Sequence, residues 1–130
     1  MFKLNILGLV LVFLLFSCGA PKPSELIGQY AFKEGKVAEI LTLKNDGIFT
    51  QTVYIDNRIF ETSGKWSVEE PRSIVFRDGF LVRCDTQSGR IVDWDPPVGY
   101  AKFVGYWHSN TEKIEFDDDG KYFVEKAKGK

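Results

Sequence analysis

The chain has 130 residues, with 17 Lys and Arg against 18 Asp and Glu, one histidine, two cysteines and 15% aromatic residues. Charges of both signs are interspersed, which excludes the basic stripe that a nucleic-acid partner requires, and one histidine with two cysteines cannot furnish a zinc cluster of ordinary ligand spacing. The length suits one modest core and no second domain.

Lys3 leads an apolar run from Leu4 to Phe16, interrupted only by Asn5 and Gly8, which ends in Ser17-Cys18-Gly19-Ala20. Charge, oily run and small-residue site, in that order, make an export signal. The run of 13 residues falls short of the roughly 20 that a membrane-spanning helix needs. Leu15-Phe16-Ser17-Cys18 resembles the lipobox of bacterial lipoprotein signal peptides. The resemblance implies removal of residues 1–17 and acylation of Cys18 as the new N-terminus. It also implies a membrane anchor, in the outer rather than the inner membrane, because Gly19 follows the cysteine where a retention signal would place aspartate. The alternative is an ordinary secreted protein cleaved near Ala20, with Cys18 discarded. "APKPSE", Ala20 to Glu25, has two prolines and nothing apolar to bury, so residues 18–25 are expected to form the lipidated cysteine and an extended tether.

Residues 26–126 are predicted to form a single β domain, with 127–130 as a flexible tail. Apolar residues recur at every second place, between Gly, Asn and Asp punctuation. "EILTLKNDGIFTQTVYID" predicts a hairpin at Asp46-Gly47, since Asp-Gly supplies the positive φ of a tight turn. A second turn is expected at Asp56-Asn57, a strand end or bulge at Gly64, and a stop at Pro71. Further Asp-Gly hairpins are expected at Asp78-Gly79 and at Asp119-Gly120. "DPPVGYAK", Asp95 to Lys102, reads as a loop because two prolines lack ladder donors. Eight to ten short antiparallel strands result, an all-β meander that closes into a small barrel, with a β-sandwich as the alternative. Gly28-Gln29-Tyr30, the Asp-Gly-Phe and Asp-Gly-Lys-Tyr hairpins and the Gly64-Lys65-Trp66 strand resemble the lipocalin-like domains found among bacterial lipoproteins. That likeness implies a barrel and, by extension, a ligand cavity. The abundance of Phe, Ile, Leu and Trp in the strands argues instead for a filled interior.

Groups for chemistry are sparse, so no enzyme, cofactor or metal site is expected. Cys84, in the alternating "FLVRCD", is expected on a buried face as a small hydrophobe. His108 stands beside turn residues, and Asp117-Asp118-Asp119 lacks the spacing of a calcium loop. Asp93 and Asp95 flank Trp94, and alternation puts both carboxylates on one side with the ring opposite. "GYAKFVGYW" crowds four rings into nine residues, so some must face outward. Trp94, Tyr100, Phe103, Tyr106 and Trp107 are the expected binding surface. The functional expectation is a membrane-tethered binding module without catalysis, facing an envelope or periplasmic protein. The alternatives are an inhibitor or immunity lipoprotein against a periplasmic enzyme, a carrier of a small hydrophobic ligand, and a hydrolase built on Asp93 and Asp95.

Overall fold

Every second residue of strand β2 (Val37–Leu43) is buried, and the same holds for β3 (Ile48–Ile55). A period of two with one wet face is the pattern of a sheet covering a core on one side. The computed structural model describes residues 21–85, 92–117 and 120–128; Cys18, the expected signal segment, Asp118 and Asp119 lie outside these. A single helical turn, α1 (Pro23–Leu26), precedes β1 (Gly28–Glu34), β2 and β3. There follow β4 (Arg58–Glu70), β5 (Ser73–Asp85), β6 (Val92–His108), β7 (Lys113–Glu115) and β8 (Phe123–Lys126). Each strand pairs antiparallel with its sequence neighbour, and β8 returns to β1 through Tyr30↔Lys126 and Ala31↔Glu125. The fold is therefore a closed eight-stranded meander of the lipocalin-like kind, and closure removes most of the edge that an open sheet would expose.

An up-and-down meander sends alternate turns to opposite ends. The proximal end gathers α1, the turns after β2, β4 and β6, and the end of β8. The distal end gathers the turns after β1 and β3 and the connection from β7 to β8. Asp46-Gly47 and Asp56-Asn57 are the expected turns, with Gly47 at φ 81° and Asp56 at φ 56°, and the stop at Pro71 is the turn between β4 and β5.

Four local expectations are corrected. Asp78-Gly79 is not a hairpin: both residues keep positive φ, but they lie within β5 where the register with β6 shifts between Arg77 and Phe80. They form a bulge, which bends the strand without reversing it. Asp95 to Lys102 is not a loop, because β6 runs through it. The register moves from Cys84↔Asp93 to Val82↔Val98, so Pro96 and Pro97 fall in the unpaired excess, where their missing donors cost no ladder bond. Gly64 neither ends nor bulges its strand. It pairs with Phe49 inside an unbroken ladder, where a Cβ would come 2.1 Å from the Arg77 carbonyl oxygen. The expected extended tether is also shorter than 18–25: Pro21 is buried, Leu26 is fully buried, and the Tyr30 hydroxyl donates to the Leu26 carbonyl at 2.7 Å.

Phenylalanines fill the interior. Phe49, Phe76, Phe80, Phe103 and Phe116 stand at centroid distances of 4.7 to 6.0 Å in tilted, edge and stacked pairs, geometries that contribute about 0.5 to 1.5 kcal/mol per pair beyond burial. Tyr30 meets Trp107 edge-on below them.

Candidate functional site

Two regions depart from ordinary barrel packing. The first is a polar cluster beneath the distal mouth. The last rung between β4 and β5 is Lys65↔Arg77, so among the described residues no strand lies on that side of β5 beyond the bulge. The Gln51 side chain takes the place of one: its Nε2 donates to the Leu81 carbonyl at 2.8 Å, and its Oε1 accepts from the Leu81 amide at 2.8 Å. Nε2 also donates to Glu39 Oε2 at 3.0 Å, while Arg83 Nε donates to Glu39 Oε1 at 2.7 Å and Arg83 Nη2 to the Phe123 carbonyl at 3.1 Å. The guanidinium lies 3.9 Å from the Phe32 ring centroid and 4.5 Å from that of Tyr122. Glu39, Gln51 and Arg83 are at most 1% exposed, and together they tie β2, β3, β5 and β8.

Burial raises the Glu39 carboxyl, against the opposing pull of Arg83 and the Gln51 amide. Each of its oxygens accepts a hydrogen bond from a fixed donor, and the carboxyl is fully buried, out of reach of a substrate. The same surroundings push the Cys84 thiol up to about 12, chiefly by desolvation, which leaves it a packed hydrophobe rather than a nucleophile. Above the cluster a cleft of about 450 Å³ opens at the distal mouth, lined by Phe32, Glu34, Lys36, Val37 and Asp93 with Arg83 beneath.

Sequence reasoning missed this trio, although its signal was present. Glu39 stands in phase with Val37, Leu41 and Leu43, and Gln51 in phase with Phe49, Val53 and Ile55.

The second region is the outer stretch of β6. Of the five residues expected at a binding surface, Tyr100 and Tyr106 are exposed, Trp94 and Phe103 are half-buried against the core, and Trp107 is only 5% exposed. Trp107 is thus corrected to a core residue: it pairs with Ile114 and packs on Tyr30. Val92 and Val98 join the exposed set. The ladder from β6 to β7 has three rungs, Tyr106↔Glu115, Trp107↔Ile114 and His108↔Lys113, so among the described residues no strand lies on that side of 92–104. Asp93 and Asp95 are exposed as alternation requires, and Asp95 is ion-paired with Arg58.

The remaining candidates fall apart as a site. His108 Nε2 meets Glu115 Oε2 at 3.2 Å on the surface, and Asp117 Oδ1 accepts the Tyr122 amide at 3.0 Å. Among the described residues no three His, Cys, Asp or Glu side chains converge as metal ligands. Fold and surface define a small closed antiparallel barrel with one long, partly uncovered strand. Comparison with known proteins finds no family model, curated protein or solved structure that matches the chain.

Proposed function

We propose that this protein is a lipid-anchored binding module of the bacterial envelope, held by acylated Cys18, that engages an envelope or periplasmic protein through β6 and carries no catalytic activity. The observation that carries the reading is the three-rung closure between β6 and β7. It leaves a strand edge that carries Val92, Val98 and Tyr100, with Tyr106 on the closed rung just beyond it, and each of these four is at least 37% exposed. Unpaired edges recruit extended segments of other chains through main-chain hydrogen bonds, and alternate side chains supply selectivity. Pro96 and Pro97 blunt one part of this edge, which concentrates recognition on residues 98 to 104. The non-catalytic part is supported by where the candidate groups sit: Cys84 is sealed in the core, Glu39 is fully buried and bonded to Arg83 and Gln51, and Asp95 is ion-paired with Arg58 on the surface.

A carrier of a small hydrophobic ligand is less favoured, because rings fill the interior and Glu34, Lys36 and Asp93 line the distal cleft. An inhibitor or immunity role would use the same β6 surface.

The test is intact mass of the protein from its native membrane, followed by crosslinking from photoreactive residues at positions 100 and 106. The expected result is the mass of residues 18–130 plus acyl chains and one crosslinked protein, lost in Tyr100→Ala/Tyr106→Ala. A mass without acyl chains sinks the anchor, and crosslinks that do not respond to those substitutions sink the β6 surface.

A further inference from the structure

Resting on the lipid anchor proposed above, we infer that the proximal end of the barrel lies against the bilayer, its cations on anionic phospholipid headgroups, and that the distal cleft points away. The first support is the length of free chain. A tether spanning residues 18–25 in extended form would reach about 25 Å. The fold instead takes hold at Pro21, which is buried, and Lys126 Nζ donates to the Glu25 carbonyl at 2.7 Å. Only Gly19 and Ala20 separate Cys18 from Pro21, so the acylated residue stands at most about 11 Å from the barrel, three Cα steps of 3.80 Å. That distance is too short for the barrel to turn over above its anchor.

The second support is charge. The turns, chain ends and strand ends gathered at the proximal end carry Lys22, Lys44, Arg72, Lys113, Lys126 and Lys128 against Glu25, Asp46, Glu69, Glu70 and Glu112, an excess of one cation. The register places them together: the Trp107 amide donates to the Arg72 carbonyl at 2.7 Å, the Lys126 amide to the Glu112 carbonyl at 2.8 Å, and Trp66 Nε1 to the Lys44 carbonyl at 3.0 Å. At the distal end the balance among the described residues reverses, with Glu34, Asp56, Asp85, Asp93, Asp95 and Asp117 outnumbering Lys33, Lys36, Arg58 and Lys121. An anionic surface attracts the first end and repels the second, and the attraction decays within a Debye length. Anchor and field therefore orient the domain in the same sense. The outward face includes the cleft and the Val92 to Tyr100 part of β6, whereas Tyr106, paired with Ser73 and Glu115, marks the part of the binding surface nearest the bilayer.

The experiment uses the full, acylated chain in a Cys84→Ala background. Single cysteines at Asn45→Cys and Asn110→Cys (proximal) or Lys36→Cys and Asn57→Cys (distal) carry an environment-sensitive fluorophore. The protein is reconstituted into vesicles of phosphatidylcholine and phosphatidylglycerol that contain a headgroup nitroxide quencher. The expected result is several-fold stronger quenching at both proximal positions than at both distal ones. Replacing phosphatidylglycerol by phosphatidylcholine is expected to weaken the proximal quenching. Equal or reversed quenching in protein that still floats with the vesicles overturns the orientation and leaves the anchor standing. Proximal quenching that ignores the anionic lipid overturns the headgroup contact. Protein that lacks acyl mass and does not float overturns the anchor itself, and this inference with it.

Discussion

The aromatic core and the polar cluster beneath the distal mouth are equally hidden from water, yet they are held by opposite physics. Phe49, Phe76, Phe80 and Phe116 mainly fill space, and their ring contacts are satisfied by edge and tilted arrangements alike. Glu39, Gln51 and Arg83 each need particular partners at particular angles, because an unmatched buried charge or amide forfeits its hydration with no return. Tyr122 belongs to both, with its ring 4.8 Å from Phe116 on one side and 4.5 Å from the Arg83 guanidinium on the other. The contrast teaches that burial alone does not rank positions. The core is sensitive to volume, whereas the cluster is sensitive to the loss of one partner and tolerant of the loss of both.

The sharpest way to break this contrast is to remove one charge. Arg83→Met strands the Glu39 carboxyl and is expected to cost about 3 to 5 kcal/mol, whereas Glu39→Leu/Arg83→Met is expected to recover most of that loss. Urea denaturation of the two single variants and the double variant measures the coupling. A double variant as unstable as the sum of the singles would show that the pairing is not the source.

Next in size is a test of volume in the core. Gly64→Ala puts a Cβ 2.1 Å from the Arg77 carbonyl oxygen and 2.7 Å from the Phe49 ring, a clash expected to cost about 2 to 3 kcal/mol. Gly99→Ala meets nothing within 4 Å and is expected to stay within about 0.5 kcal/mol of the parent. Similar denaturation midpoints for the two would contradict the packing described at Gly64.

Alkali probes the boundary between the two regions. The folded Cys84 thiol is raised to about 12 from an ordinary 9.0, and burial raises the Tyr30 and Tyr122 hydroxyls as well. Above pH 9 the unfolded chain releases the thiol proton while the folded chain retains it. The thiol's contribution to stability is therefore complete below pH 9 and is lost between pH 9 and 12, at most about 1.4 kcal/mol per pH unit. Cys84→Ala is expected to flatten that part of the profile, which urea midpoints at pH 8 and pH 10 would reveal. An unchanged slope would mean that the thiol is not sealed. The smallest effect belongs to the surface: Tyr100→Ala and Tyr106→Ala are expected to change stability by no more than about 0.5 kcal/mol, checked by thermal melting, while abolishing partner contact.

Much of the architecture was readable because it rests on local chemistry. The alternation of Val37 to Leu43 and of Ile48 to Ile55 specified half-buried strands, and Asp46-Gly47 and Asp56-Asn57 specified the turns that join them. Antiparallel neighbours followed from short connections, and closure from the need to cover edges. Asp78-Gly79 and Pro96-Pro97 were legible as interruptions but not as kinds of interruption. Positive φ at Asp-Gly serves a reversal and a bulge alike, and a proline pair is compatible with either a loop or a register shift. Which one occurs depends on whether strands continue on both sides, a property of partners distant in the chain.

The binding surface divides the same way. Composition alone required that some of the rings between Gly99 and Trp107 face outward. Pairing with β7 and packing on Tyr30 decided that Trp107 turns inward while Tyr100 and Tyr106 remain exposed. The buried trio was decided still further from local sequence. Gln51 and Leu81 are 30 residues apart, and Glu39 and Arg83 are 44 apart. Periodicity can place a glutamate on the inner face of β2, but only the bend of β5 across the barrel brings an arginine to meet it. By itself the sequence determined strands and most turns, because these follow from nearest neighbours and a period of two, and it favoured closure over a sandwich without deciding it, since closure joins Tyr30 to Lys126. The tertiary structure decided which edge stays open and which charges are buried together, because both depend on contacts that form only after the barrel has closed.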